Sequence, residues 1–171
     1  MKRALLVLGL VLGVAMTAHA MSEHGPMPAS SAEMSRLKNL VGSWDGTSVT
    51  GGEEKPVHVD YRLTSGGSAL VETLFAGTPD EMVSVYYDAN GQVAMTHYCM
   101  LGNQPRVALA HADAQTIALS LAPDSGLDVA TPHMHALTLA WTDPDRLTQT
   151  WTFFEGGQAE HSTVITLSRV R

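Results

Sequence analysis

The chain has 171 residues, with 10 Lys and Arg against 17 Asp and Glu, and 44% of its residues are hydrophobic. That acidic balance excludes nucleic acid as a partner, because phosphate binding needs clustered Lys and Arg and none are clustered here. A single cysteine, Cys99, excludes an intramolecular disulfide, so stability must come from an apolar core.

Lys2 and Arg3, an apolar run from Ala4 to Met16, and the small-x-small triplet Ala18-His19-Ala20 read as an export signal over residues 1–20. The expected compartment is the periplasm or the medium. The run is shorter than the roughly 20 residues a bilayer-spanning helix needs, and no second run follows, so no membrane anchor is expected. Cleavage would leave about 150 residues, within the range of one domain. Residues 21–30, with Gly25, Pro26 and Pro28, have the composition of a flexible linker. Next, Ser30-Ser31-Ala32-Glu33 reads as a capping box, and Met34, Leu37 and Leu40 share one face of a short helix over 31–40 that should plug one end of the domain.

From Trp44 onward the apolar pattern has period two, with turn signals about every 8 to 12 residues. The alternation predicts strands near 43–50, 57–64, 69–75, 81–88, 92–100, 105–112, 115–121, 133–142, 146–154 and 159–170. Ten strands joined by hairpins, without a long crossover, imply an all-β, up-and-down antiparallel barrel over residues 31–171, since closure removes the exposed edges of a meander.

Turn type fixes register and register fixes faces. A Gly66-Gly67 turn pairs Leu63 with Leu70, Tyr61 with Glu72 and Val59 with Leu74, leaving Glu72 as a carboxylate on an apolar face. An inward charge needs a partner, and Tyr61 and Arg106 are the candidates. A bulged turn after Asp88 would put Val83, Val85 and Tyr87 on the inner face with Val93, Met95, His97 and Cys99. The turn at Pro144 puts His133, His135, Leu137, Leu139 and Trp141 with Leu147, Gln149, Trp151 and Phe153. For His161 the Gly156-Gly157 turn leaves the side open.

With Gly42-x-Trp44, the strand meander and Ser168-Arg169-Val170-Arg171 in view, the chain resembles the calycin group, namely lipocalins, fatty-acid-binding proteins and the haem-binding nitrobindins. It is more similar to a bacterial family of uncharacterised exported proteins with a Leu-x-Gly-x-Trp opening, through Tyr61-Arg62-Leu63-Thr64-Ser65-Gly66-Gly67-Ser68-Ala69-Leu70-Val71-Glu72 and Thr96-His97-Tyr98-Cys99-Met100-Leu101-Gly102-Asn103-Gln104-Pro105-Arg106. The lipocalin resemblance implies that Trp44 packs under Arg169 or Arg171. The nitrobindin resemblance implies haem on one histidine, with His161 in the corresponding region, although Ser48 stands where that opening carries a glycine.

Ten strands can leave a cavity, and the expected function is binding of a small apolar or amphipathic molecule. Leu63, Leu70, Val85, Met95, Leu137, Trp151 and Phe153 would hold its body, and Glu72, His97, Arg106 and His135, with Tyr61 nearby, its polar end. The alternatives are haem, a transition metal on His97-x-Cys99 and His133-x-His135, or a partner-binding barrel without a cavity. Glu72 with His97 or His135 is the one acid-base set for an enzyme, and no nucleophile or phosphate motif accompanies it.

Overall fold

A computed structural model of the chain describes residues 29–171. The export signal over 1–20 and nearly all of the linker over 21–30 lie outside the described residues. Helix α1 (Ala32–Leu37) runs into a 3-10 turn (Lys38–Leu40). Ten strands follow: β1 (Gly42–Thr50), β2 (Glu53–Thr64), β3 (Ala69–Leu74), β4 (Met82–Ala89), β5 (Gln92–Tyr98), β6 (Arg106–Ala112), β7 (Thr116–Leu121), β8 (His133–Asp143), β9 (Arg146–Glu155) and β10 (Gln158–Arg169). Each pairs antiparallel with its sequence neighbour, and β1 pairs with β10 to close the barrel. This is the expected all-β architecture.

The helix closes one end because its apolar face is continuous with the barrel interior. Met34, Leu37 and Leu40 are buried in one cluster with Trp44, Val59, Leu70 and Met95. Its cap sits one residue later than the capping box implied: Ser31 Oγ accepts from Met34 N, while Ser31 itself is clasped by Asp88 through both its backbone N–H (2.9 Å) and its hydroxyl (2.5 Å). A long-range carboxylate has displaced the local glutamate. Farther round, Arg36 lies 4.9 Å over the Trp141 ring and donates to the carbonyls of Asp113 and Thr116. The Trp44 indole donates to Leu40 O (2.8 Å), and the Arg169 guanidinium lies 4.3 Å over the Trp44 ring while donating to Asn39 O, Val41 O and Asp145. Of the two arginines offered for Trp44, Arg169 makes the contact.

The register of β2 on β3 is the expected one, with Tyr61 opposite Glu72 and Leu63 opposite Leu70. At the strand end, however, Leu63 is 43% exposed, so it is not a cavity residue. The β4–β5 hairpin differs from expectation. Asn90 and Gly91 both take positive φ (54° and 79°), the signature of a two-residue type I′ turn, and Ala89 pairs with Gln92 without a bulge. Without that extra residue the faces of β4 exchange: Ser84 and Tyr86 are buried inside, while Val83, Val85 and Tyr87 face outward. In β8 a bulge between Met134 and Ala136 turns the parity at His135. The side chain stacks on Phe154 at 3.7 Å, on the face opposite Trp151, and His133 accompanies it there. Cys99 lies just past β5, half-buried in the turn, not within the strand.

Candidate functional site

The barrel end away from α1 holds a cavity of about 340 Å³, at the small end of the range for small-molecule pockets. Its walls are Leu74, Phe75, Met82, Met100, Met134 and Ile165; Trp151 and His97 contribute rings, Ser48 and Thr163 contribute hydroxyls, and Glu53, Lys55 and Asp80 stand at the solvent side. Phe75 adopts φ 54°, a left-handed conformation bulky residues avoid. Its carbonyl is held there by Thr78, through the backbone N–H (3.1 Å) and the hydroxyl (2.8 Å).

Behind the cavity lies a row of polar groups that cross-strand pairing places side by side. Tyr61, Glu72, Ser84 and His97 are successive ladder partners across β2, β3, β4 and β5. Glu72 is fully buried and accepts from Tyr61 Oη (2.5 Å), Tyr86 Oη (2.8 Å) and the Gln149 amide, which reaches over from β9. Burial pushes the Glu72 carboxyl up from its ordinary range, and the hydrogen bonds from Tyr61, Tyr86, Gln149 and Ser84 hold it back. The same burial, together with the Glu72 charge, raises both tyrosines well above their usual values.

His97 ends the row at the cavity. It is 1% exposed, its ring lies 4.7 Å from that of Trp151, and its Nδ1 is 3.0 Å from Ser84 Oγ. Its Nε2 is buried and has no partner. An orphaned nitrogen on a cavity-lining ring is what a ligand would satisfy. Burial lowers the imidazole to about 4, so it is neutral at physiological pH.

That depression has a measurable consequence. Between pH 6.5 and about 4 the unfolded chain binds a proton at His97 that the folded chain does not, so stability is lost as pH falls across this window. Integrated, the loss is roughly 3 kcal/mol. Denaturation of the wild type and His97→Phe from pH 7 to 4 should show the wild type losing about that much more; parallel curves would reject the buried neutral state.

Of the residues expected to meet a ligand, His97 and Trp151 line the cavity. Glu72, Tyr61, Met95, Leu70 and Leu137 are buried but set back from it. Arg106 pairs with Asp124 and not with Glu72, because it is the ladder partner of Thr96, which alternates with the inward Met95 and His97, and so stands on the outer face. His135 lies on the outer face, joined to His133 Nε2 at 3.1 Å. Phe153 is stacked on His161 at 4.7 Å. His161 has the strand parity of the cavity residues Thr163 and Ile165, yet it is exposed. The arrangement does not fit haem, because the histidine that would ligate it is exposed against Phe153 and outside the cavity wall. Among the described residues no group of three or more His, Cys, Asp or Glu is placed to hold a metal ion.

Sequence reasoning missed Ser84 and Tyr86, and it placed Gln149 inward without assigning it a role. The Asn90-Gly91 dipeptide was the signal for the first two, being the strongest short-range mark of a type I′ hairpin.

No family model matches the chain, and no curated protein matches it either. Among solved structures it is similar to a protein of unknown function from the DUF3598 family of Nostoc punctiforme, with a TM-score of 0.55 and 15% identity over 78% of this chain and 49% of that one. The chain thus spans about half the length of that protein. A redesigned β-barrel is also similar, at a TM-score of 0.40 and 14% identity, over 80% of this chain and 96% of that one. The first likeness shows the fold alone. The class defined is a closed, ten-stranded antiparallel barrel.

Proposed function

We propose that this chain is an exported, calycin-like barrel that binds a small, largely apolar molecule in the cavity opposite α1. The buried His97 Nε2, unpartnered on a ring that lines an otherwise mostly apolar cavity, carries this reading. The ligand's body lies against Met82, Met134, Trp151 and Ile165, and one polar group meets His97. Burial of an apolar body of this size supplies the affinity, at about 25 cal/mol per Å² removed from water, and the single polar contact supplies orientation.

The test is native mass spectrometry of the full chain isolated from a bacterial periplasm, together with titration of the neutral fluorophore N-phenyl-1-naphthylamine. A co-purifying mass, and probe binding weakened at least tenfold by Met134→Glu, are expected, because a carboxylate in the wall must be desolvated when an apolar body enters. No retained mass, with probe fluorescence unchanged by Met134→Glu, would reject the reading. A partner-binding barrel is then the second choice. It is favoured by Tyr98 at the end of β5 and by Met100, Leu101 and Val129 on the loops at that end, which are 50 to 61% exposed.

A further inference from the structure

We propose that the cavity sorts ligands by the charge they leave at its mouth, favouring an apolar body with an ammonium group on its outer end and turning away one with a carboxylate there, because the barrel gathers its excess negative charge around that mouth. This rests on the binding reading and narrows the ligand to a chemical class.

Strand direction assigns the surface charges to the two ends of the barrel. β1 runs from the helix end toward the cavity and β2 runs back, so the connections β1–β2, β3–β4, β5–β6, β7–β8 and β9–β10 all lie at the cavity end. Four of these five bring a pair of carboxylates. Glu53 and Glu54 follow the first connection, and Asp80 and Glu81 close the second. Asp124 and Asp128 lie within the β7–β8 connection, and Glu155 and Glu160 flank the last. All eight are exposed. Against them the same end holds two cations, Lys55 and Arg106, which leaves an excess of six negative charges. The helix end is nearly neutral by comparison, with six Lys and Arg among seven carboxylates, and ion pairs there join Asp143 to Arg146 and Asp145 to Arg169 and Arg171. At the cavity end, among the described residues, Asp124 alone has such a partner, Arg106.

The mouth follows the sign of the end on which it opens. Lys55 stands there, but Glu53 and Asp80 line the same opening and outnumber it. Behind them the walls are mostly apolar, with Leu74, Met82, Met134 and Ile165, so a charged group cannot follow the ligand's body inward without a large desolvation cost. It stays at the opening. A cleft with low-dielectric walls and charges of one sign focuses the field at its mouth, concentrating ions of the opposite sign and repelling those of its own. The cavity is the site, and the carboxylates set the potential its ligand's outer end must enter.

The test is competition against N-phenyl-1-naphthylamine bound to the full chain at pH 7, with octylamine, octan-1-ol and nonanoate, which share an eight-carbon body and differ in the outer group. At low ionic strength octylamine is expected to compete at least tenfold more strongly than nonanoate, with the alcohol between them. In 1 M salt, where the screening length falls to about 3 Å, that ratio should shrink to less than threefold. The double variant Glu53→Gln, Asp80→Asn alters two exposed side chains and leaves the walls intact; it should lower the low-salt ratio at least threefold. Equal competition by the two ions, no competition by either against a probe that binds, stronger competition by nonanoate, or a ratio unmoved by the double variant overturns the inference. Absence of probe binding, with no retained mass, overturns instead the reading on which it rests.

Discussion

Gly46→Ala is expected to prevent the barrel from closing, at a cost above about 4 kcal/mol. A methyl group at this position would lie 1.8 Å from the carbonyl oxygen of Thr166, 2.8 Å from its carbon and 3.0 Å from Leu167 Cα. All three atoms are backbone, so no side chain can swing away to make room. Relief requires moving β1 off β10, where Gly46 pairs with Leu167, and that displaces Trp44, two residues earlier, from beneath Arg169. Gly52→Ala is the control: it meets open space and is strained only by its positive φ of 86°, a cost on the order of 1 kcal/mol. Urea denaturation followed by circular dichroism compares the two. A Gly46→Ala midpoint equal to that of Gly52→Ala would show that the seam tolerates separation.

Glu72→Ala should be nearly as damaging, on the order of 4 kcal/mol, for a different reason. Removing the carboxylate strands Tyr61, Tyr86 and Gln149, each a buried donor aimed at it. Leaving one buried donor unsatisfied costs about 1 to 3 kcal/mol, and three in contact will not add independently. Glu72→Gln keeps one acceptor oxygen and should lose roughly half as much. Because Glu72 is set back from the cavity wall, N-phenyl-1-naphthylamine should bind Glu72→Gln about as well as the wild type. Thermal melts and the titration together decide the matter. An unchanged melting temperature for Glu72→Ala would mean that water replaces the carboxylate without penalty.

The architecture was legible in the sequence because an up-and-down meander is specified by local signals. Turn dipeptides and period-two alternation recur between neighbouring strands, and every pairing but the closing one is between neighbours. The inward carboxylate was legible for the same reason, as was Tyr61 opposite it, since Gly66 and Gly67 set that register. What failed depended on a one-residue count or on distance. Reading a bulge at Asp88 in place of a type I′ turn at Asn90-Gly91 reversed β4 and hid Ser84 and Tyr86. The bulge at His135 has no glycine to announce it and is supported by stacking on Phe154, a contact between strands. Arg106 was offered to Glu72 on charge alone, whereas Asp124 is nearer. The cavity was the least legible part, because Phe75 and Met100 come from the loops at the open end and not from alternating strand positions.

The closed strand order also dictates a sequence of assembly. Each local ladder joins strands separated by 2 to 11 residues, but the β1–β10 ladder joins Trp44 to Arg169. Closing a loop of roughly 120 residues costs about 3 kcal/mol more chain entropy than closing a hairpin. The nine local ladders can form progressively, and the tenth must wait for them. Native-state hydrogen exchange should therefore release the amides of β1 paired to β10 at lower free energy than those joining β8 to β9; equal protection would indicate that the whole sheet opens as one unit. Ser48, Thr50, Thr163 and Ile165, four of the residues around the cavity, stand on those two last-joined strands. A pocket completed by the final ladder exists in no partly folded form of the chain, so whatever enters it can recognise only the finished protein.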